Sequence, residues 1–322
     1  MGMLLTRRGR VSVSKVKKQK SLRRTNTLTA YLFMTPTIFY LIFWTLLPIV
    51  ISFVLSFTNY DILKHDLFHP IKSGIAFMGL DNYSMALQND IFWRSITQTV
   101  KFAFFSVVIY NILGLIYALT ANNAKGKSFF RFSFFIPNVT SVAALVIIFD
   151  ALFRSGTFVT EFLALFGIPM VTWRTTPGYA MNLAIIMSIW VNAGYCMLIY
   201  LAGLQEISPE LYEAADIDGA SPGQKFMKIT FPLLNNKTFF LMATGFIGAL
   251  QVYDILQMLS ETGETMLVGG PEGTLWSAVY YIYYVGWSQS KMGRASAISF
   301  LLLLLIMLIT LIQRKLFKDQ TY

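Results

Sequence analysis

The chain has 322 residues, of which 55% are hydrophobic, 16% aromatic and 13% charged, and its formal net charge is +10. A soluble domain carries about 25% charged residues, so this composition excludes an ordinary soluble enzyme and a disordered chain. It also argues against a nucleic-acid partner, because the basic residues lie in short segments between long apolar runs and not along one water-exposed face. The single cysteine, Cys196, allows no internal disulfide.

In chain order, residues 1–30 form a basic tail with Arg7, Arg8, Arg10, Lys15, Lys17, Lys18, Lys20, Arg23 and Arg24 and no acid. A membrane helix needs about 20 mostly apolar residues. Charge-free windows near that length run from Arg24 to Asp61, Lys101 to Lys125, Arg131 to Asp150, Arg174 to Glu206 and Arg294 to Arg314. Another, Lys237 to Glu261, holds one charge, Asp254. These windows predict six spans: 31–56, 97–121, 132–152, 180–204, 237–259 and 293–313. Six buried core helices would leave too little polar face to solubilise the rest. The expected fold class is therefore all-α, a polytopic membrane protein. A six-helix domain, 31–313, follows the tail and precedes a short C-terminus, 314–322. The first span is too long for a cleaved signal, and no small-residue cleavage site follows Phe57. Pro36 and Pro48 lie within it, which membrane helices tolerate when the freed carbonyls find other partners.

Lys and Arg mark the cytoplasmic side of a membrane protein. The basic tail, the segment with Lys125, Lys127 and Arg131, the segment with Lys225, Lys228 and Lys237, and the C-terminus with Arg314, Lys315 and Lys318 share one side of a six-span topology. The other connections carry Asp61, Asp66, Asp81, Asp90, Glu161, Glu261, Glu264 and Glu272. Both termini are expected in the cytoplasm, with the tail a solvated topology signal or a contact with anionic membrane lipids. Lys101 is expected near the outer end of the second span, where it can snorkel, and Asp150 and Asp254 near the outer rim.

On the outer side, residues 157–170 are apolar but too short to span and read as interfacial. Trp276, Tyr280, Tyr281, Tyr283, Tyr284 and Trp287 fit either a headgroup-level aromatic belt or a surface for stacking sugar rings. His65 and His69 beside Asp66 precede Pro70 in a polar stretch, so a solvated loop is expected there and no metal site. The chain shows no nucleophile–base constellation. Gly126-Lys127-Ser128 imitates the end of a phosphate loop, but Ala121 stands where its first glycine is required.

The segment 206–235 carries two helix starts. Ser208 precedes Pro209, and Ser221 precedes Pro222 with Gln224 three residues on, a capping box. Gly219 between them suits a left-handed stop, and Pro232 is expected to end the second helix. Leu211, Ala214 and Ala215 share helical spacing beside Glu213. Small residues with one carboxylate suit a docking knob, and they would equally suit packing against their own chain.

Glu213-Ala214-Ala215, then Gly219, Ile229 and Pro232, resembles the signature of membrane subunits of bacterial ATP-binding-cassette (ABC) importers, with Phe231 where leucine is more usual. The resemblance extends over most of the chain beyond the tail, to the sugar-importer branch related to maltose permeases. Leu55-Ser-Phe-Thr-Asn-Tyr60, Gly79-Leu-Asp-Asn-Tyr83, Ile136-Pro-Asn138 and Gly269-Gly-Pro271 carry it. It implies a transport subunit of the inner membrane that moves a carbohydrate, an oligosaccharide by branch, through alternating access. Glu213, Ala214, Ala215, Asp218 and Gly219 would form the coupling helix seated in an ATPase subunit. The implied partners are a second homologous permease subunit, two ATP-binding subunits and an external solute-binding protein. ATP and Mg would be bound by those ATPases, with no cofactor, catalytic residue or metal on this chain.

Polar groups within membrane helices often line a path. Trp190, Asn192 and Tyr195, near Ser188 in the fourth span, and Gln251 and Tyr253 in the fifth are the candidates, each also suited to an interhelical hydrogen bond. By the same resemblance, Trp190 and Tyr195 match permease positions upstream of Glu213. Gln251, Tyr253 and Asp254 replace an Asn-rich stretch there, which argues against maltose itself. An ion-coupled secondary sugar transporter is the alternative reading, suggested by Asp254 and the broken helices. It would call for internal repeats and titratable relays, and it leaves the docking segment without a role.

Overall fold

The computed structural model describes residues 29–69, 74–123, 127–261 and 267–318. Residues 1–28 of the basic tail, Pro70, Lys125, Gly126 and Glu264 lie outside them. By contact the chain divides into two units, one ending at Leu55 and the other beginning at Ser56. Among the described residues the only β pairing is the antiparallel bridge Thr58–Phe77, and the rest is helix and turn.

The first unit is helix α1, Thr29–Leu55. Its turn Leu41–Leu46 widens to π-helical, so that the Leu47 N–H bonds the Ile42 carbonyl just ahead of Pro48. Proline has no N–H and its ring crowds the carbonyl four residues back; a wide turn upstream accommodates both.

In the second unit, α2 (Asp81–Leu87) leads to α3 (Asp90–Asn123), one unbroken helix. It begins at Asp90 and not near 97, because the Asn89 side chain accepts the Ile91 N–H at 2.9 Å and the Asp90 carboxylate suits the positive helix end. Lys101 is therefore exposed a third of the way along α3 and not at its end.

The expected third span is a broken pair. Helix α4 (Lys127–Phe135) and a 3₁₀ turn, Ile136–Val139, meet α5 (Val142–Leu152) at a bend of 98°. Pro137 sits in the turn, and the Ser141 side chain restarts the chain by accepting the Ala144 N–H at 3.3 Å. The described residues thus hold five long apolar helices, and a sixth span if the bent pair crosses as one. Helix α6 (Phe158–Ala164) keeps Phe158 and Phe162 exposed, as an interfacial helix would.

Helix α7 (Tyr179–Glu206) is the hub, with most of its length buried. It meets α3 where a Cβ on Gly114 would lie 2.4 Å from the Cys196 Cβ, and α4 where a Cβ on Gly194 would lie 1.8 Å from the Phe134 oxygen. Before α7, Arg174 pairs with Asp150 at 2.8 Å, both nearly buried, and Arg154 adds a contact at 3.2 Å. That clasp ties the end of α5 to the entry of α7.

Helices α8 (Pro209–Ile217) and α9 (222–233) form the segment expected to dock. The expected fifth span is interrupted: α10 (Asn235–Leu250) stops, and α11 restarts at Asp254–Glu261. The Ser277 hydroxyl donates to the freed Val252 carbonyl at 2.7 Å. Asp254 thus opens a helix in mid-span, where its carboxylate suits the N-terminus. Helix α12 (Ala278–Tyr283) and α13 (Met292–Lys318) complete the unit. Trp276, Tyr280 and Tyr281 are buried against Phe92, Val285, Ala295 and Ile298, so half of the expected aromatic belt is core; Tyr283 and Trp287 are exposed.

The glycine contacts give a test. Gly194→Ala drives a methyl into backbone and should lower the thermal unfolding midpoint in detergent, a cost of about 1–3 kcal/mol or more. Gly248→Ala, with open space at its Cβ, should leave the midpoint unchanged or slightly raised.

Candidate docking helices and central cavity

Helix α8 ends as its sequence foretold. Gly219 adopts φ +72°, its N–H bonds the Asp216 carbonyl at 3.1 Å, and the Ala220 N–H bonds that of Ala215 at 2.9 Å, a Schellman stop. Ser208 stands at the N-cap, but its side chain makes no capping bond. At α9 the capping box is complete: the Ser221 N–H donates to Gln224 Oε1 at 2.7 Å, and the Gln224 N–H donates to Ser221 Oγ at 3.4 Å.

The two helices brace one another. Tyr212 and Thr230 share a hydroxyl hydrogen bond of 2.9 Å, and Lys225 pairs with Asp216. This leaves Glu213, Ala214 and Ile217 facing outward, Ile217 at 88% exposure, while Tyr212 and Ala215 are half-buried. Asp218 and Gly219 are exposed at the tip. Among the described residues the Glu213 carboxylate makes no ion pair.

Helix α9 closes at Leu233, one residue past Pro232. The turn Phe226–Thr230 is π-helical, and the Phe231 N–H bonds the Phe226 carbonyl, repeating the arrangement ahead of Pro48. The chain then runs on into α10: the Leu234 N–H bonds the Thr230 carbonyl at 3.1 Å, and the Thr238 N–H that of Leu234 at 2.9 Å. Lys237 and Glu206, 3.0 Å apart, join the start of α10 to the end of α7.

A cavity of about 350 Å³ lies between α3, α7 and the α10–α11 break. Its lining is Phe102 and Tyr110 of α3; Ser188, Asn192, Tyr195 and Cys196 of α7; Leu241, Thr244, Gly245, Gly248 and Ala249 of α10; and Val252 and Ile255 beyond. The Asn192 amide donates to the Ser188 carbonyl at 2.9 Å, which holds the side chain against its own helix.

Of the five expected path residues, the structure brings Asn192 and Tyr195 into this cavity and places three elsewhere. Trp190 points off it, its ring 5.6 Å from that of Phe149. Gln251 is exposed at the end of α10, and Tyr253 packs on Tyr280 and Tyr283. Ser188, Asn192 and Tyr195 stand at helical spacing i, i+4, i+7, and Leu241, Thr244, Gly248 and Val252 nearly so; that periodicity, applied strictly, would have selected them and excluded Trp190. His65 and His69 occupy separate turn contacts. His65 Nδ1 accepts the Asp61 N–H at 3.0 Å; His69 lies 2.8 Å from Asp66 and holds that carboxyl below its usual range.

Residues 110–321 match the family described as binding-protein-dependent transport system inner membrane component. The chain is similar to the probable ABC transporter permease protein YesP of Bacillus subtilis (strain 168), 32% identical over 95% of this chain and 94% of that one. It is also similar to the trehalose/maltose transport system permease protein MalF of Thermococcus litoralis, 34% identical over 89% of this chain and 92% of that one. Its fold matches a chain in the crystal structure of a bacterial ABC transporter involved in import of the acidic polysaccharide alginate. That match has a TM-score of 0.76 and 22% identity, and covers 95% of this chain and all of that one.

The brace between α8 and α9 is testable. Tyr212→Phe removes one hydroxyl partner and should cost about 1 kcal/mol locally. Hydrogen exchange of residues 209–230 should quicken several-fold, with the rest of the protein unaffected.

Proposed function

Because the chain belongs to the family of inner-membrane components of binding-protein-dependent transport systems, we propose that it conducts a neutral carbohydrate through the central cavity, driven by ATPase subunits that grip α8. The ion-coupled alternative is not favoured, since the related proteins are ABC permeases. Support for the cargo is twofold. A relative serves a trehalose/maltose system, and every residue lining the cavity is uncharged. Four hydroxyls (Tyr110, Ser188, Tyr195 and Thr244), an amide and aromatic rings suit sugar hydroxyls and ring faces. An acidic saccharide such as alginate would call for cations there.

The observation that carries the mechanism is the hydrogen-bonded join between α9 and α10. An ATPase seated on Glu213, Ala214 and Ile217 moves α8; the Tyr212–Thr230 and Asp216–Lys225 contacts pass the load to α9, and the join passes it to α10, a wall of the cavity. ATP closure would thus alter the cavity without a loop absorbing the stroke. In this reading the chain is a transport subunit without ATPase activity of its own. ATP and Mg bind two ATP-binding subunits, a second permease subunit completes the pathway, and an external solute-binding protein delivers the sugar. Both termini and α8 face the cytoplasm.

Glu213→Lys should abolish co-purification of the ATPase in detergent and uptake with it. Gly248→Val should keep the ATPase but cut uptake of neutral oligosaccharides at least about tenfold, by filling the cavity. Uptake that survives ATP depletion under a maintained proton gradient would refute the mechanism, and preference for a uronic-acid oligomer over its neutral counterpart would refute the cargo.

A further inference from the structure

We infer that the outer end of α13 carries a cationic socket for a carboxylate side chain of the external solute-binding protein, an inference that rests on the importer reading and orientation above. A cavity of about 160 Å³ lies between residues 58–61, α2 and the start of α13. Its walls are held in place. The Asn82 amide donates to the carbonyls of Ser56 and Thr58 at 2.9 and 2.7 Å. The Ile62 N–H bonds the Ser290 carbonyl at 3.1 Å, and the Gly293 N–H bonds that of Tyr60 at 3.0 Å.

Lys291 and Arg294 line this cavity, and among the described residues neither has an ion-pair partner. The Arg294 guanidinium donates to Met85 Sδ at 2.9 Å, a weak acceptor. Its Nε–H is buried with no acceptor among the described residues, which leaves the outer guanidinium nitrogens as the ones a ligand oxygen could meet. Asp61 lines the same cavity but is engaged elsewhere: Oδ1 accepts the Leu63 N–H at 3.0 Å and Oδ2 lies 3.9 Å from Lys64. The positive end of α13 adds to the two cations and does not offset them. A guanidinium with a neighbouring ammonium fits a planar carboxylate.

The surroundings favour a protein over a free anion. Phe77, bridged to the socket residue Thr58, is 78% exposed, and Leu63 and Leu80 stand out as well. Large exposed apolar side chains around a charged pocket suit burial under a partner surface; a small solute anion would leave them in water.

The test uses the whole complex, with its ATPases and second permease, in nanodiscs. ATP hydrolysis is measured against rising concentrations of the cognate solute-binding protein loaded with its sugar. Lys291→Glu, at an exposed position, and Arg294→Gln should each raise the half-maximal concentration about tenfold or more. A glutamate- or aspartate-to-lysine variant of the binding protein should restore Lys291→Glu. If the wild type responds and both variants match it, the socket is overturned. A shift seen in phosphatidylglycerol-containing discs but not in pure phosphatidylcholine assigns the cations to lipid headgroups and also overturns it. A wild-type complex indifferent to the binding protein overturns the importer reading itself.

Discussion

Lipid tails are as apolar as leucine, so within a bilayer helices associate through close fit and satisfied polar groups and not through expulsion of water. In this protein that fit is made around α7. Gly114 admits the Cys196 side chain, Gly194 receives the Phe134 carbonyl, and Gly203 lies beneath Leu234 and Lys237. These approaches set α3, α4 and α10 against one hub. The stripe Ser188, Asn192 and Tyr195 then faces the space between them, and the end of α7 meets the start of α10 through Glu206 and Lys237. Both the cavity and the junction of α7 with α10 take their positions from this packing.

The interruptions in the helices have local causes and local remedies. Proline lies beside a π turn at Pro48 and Pro232 and within the 3₁₀ turn at Pro137. The break after Leu250 has no proline, and its freed Val252 carbonyl is taken by Ser277. Irregular backbone at membrane depth is tolerated when it is bonded or lines a cavity, and Val252 does both. Residues on both sides of the break, Gly248 and Ala249 of α10 and Ile255 of α11, therefore line the same cavity.

The two polar sites have opposite characters. The central cavity is uncharged, and its hydroxyls and rings suit a neutral ligand that must leave as readily as it enters. The cavity at the start of α13 is lined by Lys291 and Arg294, which form no ion pair among the described residues, and by one carboxylate, Asp61, and the N-terminus of α13 adds to the positive potential there. One is suited to passage and the other to a docked partner.

Run length and the placement of Lys and Arg were legible in the amino-acid order because both are properties of short stretches, and so five long helices lie close to where they were expected. Ser221 with Gln224, and Gly219, announced their cap and stop for the same reason: capping involves residues within one turn. The direction of Trp190 and the break at Gln251 and Tyr253 were not legible, since span-wide apolarity says nothing of which face meets a neighbour. The Asp150–Arg174 clasp and the pairing of residues 58–85 with 291–294 were decided by tertiary structure alone. They join residues far apart in the chain, and nothing in either segment specifies the other until the helices pack.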